Sequence, residues 1–309
     1  MVTELAQSTI EEVAAAVNRA IAAQRSWASL PAPRRRVILR QLARLVEDNK
    51  DRLAAELVRE NFCTVPRALG EVAACVEELY NASDLAVHSL GEIVPSAMPG
   101  RTNIVERVPL GVIAVIASWN SPMSLAFRAL APALALGNAV LVKPSPETPS
   151  SGGEAWIDLV SEAGVEPGLV TLVPNRGAGR AFVQHPDIEF VHFTGSYATG
   201  MSIATEAAKS MKKVAMELGG NNAALILHDA DIDLAARESV GSSFDFQGQV
   251  CIATGRHIVV RPVAVAYEAA LIREVQAYGS LGPMITEKQA HSANELVKKS
   301  IDMGAQLLI

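Results

Sequence analysis

Between residues 112 and 193, short apolar runs alternate with longer stretches of helical periodicity, and this alternation restricts the fold more than any other feature of the chain. Residues 112–117, 139–143, 169–173 and 190–193 read as strands. Residues 125–136, ending at Gly137, and residues 155–163 read as helices between them. Strands that are apolar along their whole length are buried on both faces, as in a parallel sheet with helices on either side. The spacing therefore predicts an α/β fold with a doubly wound parallel sheet. Such sheets bind ligands beyond the carboxyl ends of their strands. The residues that follow each strand are Ser118-Trp119-Asn120, Lys143-Pro144-Ser145, Pro174-Asn175 and Thr194-Gly195-Ser196.

Each of these segments has a plain reading beside a functional one. A Gly-x-Gly-x-x-Gly turn is absent, and Gly177-Ala178-Gly179 imitates only part of it, so it is given no role. Phe193-Thr194-Gly195-Ser196 ends a strand and opens a helix, where backbone N–H groups can meet a phosphate. The same residues also make an ordinary helix cap. Lys143 is either a surface lysine or a contact to phosphate or ribose. An asparagine such as Asn120 directly after a strand is usually turn chemistry.

A second pair of motifs lies downstream. Glu217 opens E-L-G-G-N-N-A, and Cys251 closes F-Q-G-Q-V-C. Glycine leaves room for a ligand to approach the main chain, and a thiol with a carboxylate can serve as nucleophile and general base. Taken singly, a cysteine is more often a small buried apolar residue and a glutamate a solvated charge. Cys75 sits in an Ala/Val-rich helical pattern and reads as core; Cys63 suggests no chemistry. The three cysteines have no metal-ligand spacing, so no metal is expected.

Together these motifs resemble the aldehyde dehydrogenase superfamily, from near the amino terminus to Ile309. The resemblance implies that Cys251 is the nucleophile, Glu217 the base and Asn120 the oxyanion donor. It also implies that Ser118, Trp119, Lys143, Ser145, Gly195, Ser196, Leu218 and Gly219 bind the cofactor, NAD or NADP. Cys251 would attack an aldehyde to give a thiohemiacetal, hydride would pass to the nicotinamide, and Glu217 would activate water to hydrolyse the thioester. A thiol with a pKa near ~8.5 is little ionised at neutral pH, so a helix start near Cys251, or Glu217 itself, is expected to activate it. K-P-S-P-E-T-P (residues 143–149) departs from many NAD-preferring members, with Pro146 where they carry glutamate. NAD and NADP therefore both stay open. E-L-G-G-N-N-A, residues 253–259 and residues 145–153 look like the benzaldehyde and vanillin dehydrogenase branch, which implies an aromatic aldehyde as substrate. Phe246 and Trp119 are candidates for an apolar slot or for core.

The resemblance divides the chain into an NAD(P)-binding domain, residues 1–216, with its amino-terminal helices, and a partial catalytic domain, residues 217–309. Residues 8–90 show helical spacing (Ile10, Val13, Val17 and Ile21; then Val37, Leu39, Leu42 and Leu45), broken at Pro31, Pro33 and Pro66. These helices are expected to pack on the first domain. Arg34-Arg35-Arg36 reads as a solvated first turn and residues 91–99 as a turn-rich connector; residues 95–110 are expected to act as an oligomerisation hairpin. Residues 278–281 look short for the family. The chain stops at Leu307-Leu308-Ile309, at what reads as the start of a strand, before the family's E-x-F-G-P motif and its last strand. A homo-oligomer (dimer or tetramer) is expected if that last strand is dispensable. The competing expectation is a non-catalytic remnant that binds nucleotide or a protein partner; a cofactor-independent esterase is a third, weaker reading.

A net charge of −6 gives no support to nucleic-acid binding. The amino terminus has no basic and apolar leader pattern, and the apolar run near residues 108–117 is too short to span a membrane. Reduced thiols and a cytoplasmic location are expected.

Overall fold

The computed structural model describes residues 7–88 and 91–309. The amino-terminal residues read for a leader lie outside these, as do Ser89 and Leu90 at the end of the helical stretch. The chain divides into two compact units, the first ending at Glu217 and the second Leu218–Ile309.

In the first unit, helices α1 (Gln7–Ser29), α2 (Ala32–Asp48), α3 (Lys50–Asn61) and α4 (Val65–Leu85) precede a hairpin of β1 (Gly91–Pro95) and β2 (Thr102–Glu106). Pro33 and Pro66 fall at helix boundaries, as read, each just inside the helix that follows. They sit in the first turns of α2 and α4, where the missing N–H has no intrahelical role. The stretch read as a connector instead begins with strand β1. Its side chains are largely exposed, Ile93 at 74% and Ile104 on β2 at 66%, so no buried face imposes an apolar alternation there.

The sheet follows: β3 (Val112–Ile116), α5 (Pro122–Ala135), β4 (Ala139–Lys143), α6 (Ile157–Glu162), β5 (Val170–Leu172), α7 (Ala178–Gln184), β6 (Ile188–Gly195), α8 (Tyr197–Ala208) and β7 (Lys213–Leu218). Strand order is β5-β4-β3-β6-β7, with β3 parallel to β4 and β6, and β4 parallel to β5. Every residue of β3 and β4 is buried, as the apolar runs 112–116 and 139–142 require. The α/β reading with a parallel sheet thus holds. The helix read over residues 155–163 is the short α6, and a single π-helical turn at Ser150–Glu154 precedes it.

Helix α5 is buried nearly all round, and side chains of the amino-terminal helices close both its ends. At its carboxyl end, the Trp27 indole donates to the Leu134 carbonyl (2.8 Å) and Gln24 to Gly137 (2.9 Å). Arg35 donates to Ala135 (3.0 Å) as well as to Leu30 (2.6 Å). At its amino end, Glu71 accepts from the Met123 and Ser124 N–H groups. Helix ends expose four unpaired groups each, and carboxylates suit the amino end while cations suit the carboxyl end. The solvated reading of the arginine run therefore fails at Arg35. It is 7% exposed, and burial lowers its pKa.

The second unit contains β8 (Asn222–Ile226), α9 (Ile232–Phe244), β9 (Thr254–Val259), α10 (Ala264–Ala277) and α11 (Glu287–Asp302). Strands β8 and β9 pair in parallel. Ile226, Ala236, Tyr267 and Ala270 form the core under them. His257 of β9 joins two helices, with Nδ1 2.9 Å from the Tyr267 hydroxyl and Nε2 3.3 Å from Ser243 Oγ. Residues 305–309 form no strand: Leu307, Leu308 and Ile309 are exposed, and an apolar run without a paired neighbour does not make one. Among the described residues, no helix is long and apolar enough to cross a membrane.

Candidate active site

Three adjacent parallel strands deliver three of the segments singled out above to one edge of the first unit's sheet. β4 ends at Lys143, β3 runs on into Ser118-Trp119-Asn120, and β6 ends at Gly195 before Ser196. Parallel strands place their carboxyl ends side by side, so the residues that follow them share that edge.

Lys143 is only 8% exposed, and its ammonium donates to the Pro144 carbonyl (3.3 Å). Burial lowers its pKa; the charge of Glu147 opposes this, and Arg176 adds to it. Ser145 is buried, and its hydroxyl donates to the Glu147 carboxylate. Gly195 is required by close packing, since a methyl there would lie 2.5 Å from the Phe193 ring. Ser196 does act as the helix cap: its hydroxyl accepts from the Thr199 N–H (3.3 Å) and donates to Thr199 Oγ1 (2.9 Å). Thr194 Oγ1 is buried at the same edge, with no hydrogen-bond partner among the described residues.

Asn120 is 9% exposed, and its Oδ1 accepts from the Ser121 N–H (3.1 Å). Ser118 and Trp119 are half-buried. Glu217 lies near the end of β7 with its side chain exposed. On the neighbouring β6, burial pushes the His192 imidazole below its ordinary pKa while the charge of Glu217 opposes the shift. His192 Nδ1 is buried without a partner among the described residues.

In the second unit, Leu218 is half-buried and Gly219 exposed. Cys251 is exposed, whereas Cys63 and Cys75 are buried. Burial pushes the Cys63 thiol up to about 11 and raises Cys75 well above its ordinary value. No helix begins at Cys251, contrary to one expectation; a turn leads into β9 instead. Ahead of it, Phe246 (φ 50°), Gln247 (φ 57°) and Gly248 (φ 72°) are left-handed in succession. Such a conformation costs a non-glycine residue ~1–2 kcal/mol. Phe246 is 5% exposed, so it is a core residue that anchors this turn. After Cys251, the Asn222 amide donates to the Cys251 carbonyl (2.8 Å) and the Ala253 carbonyl (2.9 Å).

Several supporting residues gave no signal in sequence. Glu60 accepts from the Ser150 N–H (3.0 Å), the Ser151 N–H (2.7 Å) and the Ser151 hydroxyl (2.6 Å), fixing the turn that follows the K-P-S segment. Glu71 and Asn222 act the same way on other loops. Each binds main chain far away in sequence, which no local pattern announces. No cluster of three or more His, Cys, Asp or Glu among the described residues could hold a metal ion.

The aldehyde dehydrogenase family model matches residues 1–309. A benzaldehyde dehydrogenase (NAD+) from Pseudomonas putida is 40% identical over 308 residues, 96% of this chain and 63% of the relative. A vanillin dehydrogenase from Amycolatopsis sp. is 36% identical, over 96% of this chain and 63% of its own length. The crystal structure of an NAD-dependent benzaldehyde dehydrogenase from Corynebacterium glutamicum superposes with a TM-score of 0.92 at 34% identity, covering 97% of this chain and 68% of that one. The chain thus spans a little under two thirds of the length of these curated relatives.

Proposed function

The chain belongs to the aldehyde dehydrogenase family, and on that premise we propose that it oxidises an aldehyde to the carboxylic acid with NAD(P)+. The carrying observation is the thiol pattern. Cys251, in the G-Q-V-C motif, is exposed, while the other two cysteines are buried with raised pKa values. The names of the relatives above support an aromatic aldehyde as substrate.

In this reading the Cys251 thiolate attacks the carbonyl carbon, and the Asn120 amide receives the developing oxyanion. A preorganised donor of this kind contributes ~3 kcal/mol to the transition state. Glu217 takes a proton from the water that hydrolyses the Cys251 thioester. The residues at the strand ends fit a dinucleotide: Lys143 offers a buried cation, Thr194 Oγ1 a polar atom with no partner among the described residues, and α8 its amino end. Ser118, Trp119, Ser145, Gly195, Leu218 and Gly219 complete the proposed set. When bound, the nicotinamide supplies a hydride acceptor. Glu147 beside Ser145 disfavours a further phosphate on the ribose, whereas Lys143 favours one, so the proposal covers both NAD and NADP. The exposed apolar residues of the β1–β2 hairpin support a homo-oligomer, dimer or tetramer, formed through that hairpin.

The test is NAD(P)+ reduction with benzaldehyde by the purified chain, with product acid measured directly. Acid formation that vanishes in Cys251→Ala supports the reading. Acid formation that survives in Cys251→Ala, or none in the parent protein despite nucleotide binding, contradicts it.

A further inference from the structure

We infer that Glu71 is a positioning residue for Asn120: reaching from α4, its carboxylate holds the first turn of α5, from which the Asn120 amide is presented. The inference rests on the reading of Asn120 as the oxyanion donor. Helix α5 begins at Pro122, directly after Asn120 and Ser121, yet Ser121 does not cap it. The Ser121 hydroxyl instead accepts from Arg67 Nη2 (3.3 Å). The capping is done by one carboxylate oxygen of Glu71, which accepts from the Met123 N–H (2.9 Å) and the Ser124 N–H (3.1 Å), more than fifty residues along the chain. Arg67 and Glu71 stand one helical turn apart on α4, so a single face of that helix grips both Ser121 and the turn after it. The grip reaches the functional side chain, because the Ser121 N–H donates to Asn120 Oδ1. With Oδ1 held, the planar amide has its direction set by the same backbone that Glu71 and Arg67 fix.

An ordinary structural role would require only that α5 be capped. A positioning role requires that the Asn120 amide itself respond. Asparagine-labelled full-length chain gives side-chain amide resonances, and that of Asn120 is identified by its loss in Asn120→Ser. In Glu71→Ala the Asn120 resonance should move, and exchange at Met123 and Ser124 should accelerate about tenfold, equivalent to ~1.4 kcal/mol. Glu71→Gln keeps a carbonyl oxygen in the same place and should restore both. Leu79→Ala, which removes a fully buried side chain from the same helix, should lower the melting temperature without moving the Asn120 resonance. If Glu71→Ala does not fold, Arg67→Met reports through Ser121 and should move the resonance in its place. The inference is overturned if the resonance stays fixed in both Glu71→Ala and Arg67→Met, or if Leu79→Ala or Glu71→Gln moves it as far. None of these readouts needs turnover, so a protein that fails to oxidise aldehyde still decides the matter.

Discussion

Replacing Glu71 with glutamine should change how stability depends on pH, by an amount the structure sets. The carboxyl group is almost wholly buried. Desolvation pushes its pKa up to about 7 from an ordinary 4.5, against the opposing pull of the Ser124 and Met123 N–H groups and Arg67. Between those two values the folded protein keeps a proton that the unfolded chain has released. The group's contribution is therefore fully present below pH 4.5 and is lost as pH rises through 7. At ~1.4 kcal/mol per pH unit, the gap corresponds to ~3 kcal/mol. Glutamine imitates the protonated acid and does not titrate. The two proteins should thus be nearly equal in stability near pH 4, with the variant gaining by up to ~3 kcal/mol near pH 8. Urea unfolding followed by tryptophan emission suits the measurement, because Trp27, Trp119 and Trp156 all lie in the first unit. Other titrating groups, His192 among them, cancel in the difference. Parallel profiles that stay within ~0.5 kcal/mol of each other would refute the reasoning.

Further outcomes concern the nucleotide and the chemistry. Lys143→Ala should weaken NAD(P)+ binding about tenfold or more, as expected for the loss of a charged hydrogen-bond donor, without unfolding the protein; unchanged affinity by titration calorimetry removes Lys143 from the site. Glu217→Gln should give a burst of reduced nucleotide followed by slow turnover, since hydride transfer precedes the step that needs the base. A steady rate equal to that of the parent would take the general-base role away from Glu217.

The sheet was legible because its signals are local. Residues 112–116 and 139–142 are apolar without alternation, as a doubly covered parallel strand requires. The positions of Asn120, Lys143 and Ser196 at strand ends were legible for the same reason: Lys143 closes β4, Ser196 follows β6, and Asn120 lies shortly after β3. What closes the structure around them was not. Arg35 reads as one more solvated arginine until the carbonyl of Ala135, 100 residues away, lies 3.0 Å from its guanidinium. Glu60 and Glu71 look like surface acids, yet their partners are backbone N–H groups of later loops, and side-chain type carries no record of such a partner. The hairpin is read over residues 95–110, and its first strand, 91–95, is missed, because both of its faces are exposed and its sequence carries no period. The opposite error occurred at Leu307-Leu308-Ile309, where an apolar run suggests a strand, but without a partner to complete its hydrogen bonds it forms none.

The central claim, that Cys251 is a nucleophile and not a packing residue, is tested most directly by competitive thiol labelling. The full chain is treated with less than one equivalent of an alkylating agent at neutral pH, and the modified cysteines are located by peptide mass spectrometry. Labelling should appear first at Cys251, lag far behind at Cys63, and be absent at Cys75 until the protein unfolds, since burial keeps both of those thiols protonated. Benzaldehyde with NAD(P)+ should protect Cys251 selectively. Equal, slow labelling of Cys251 and Cys75 would contradict the account.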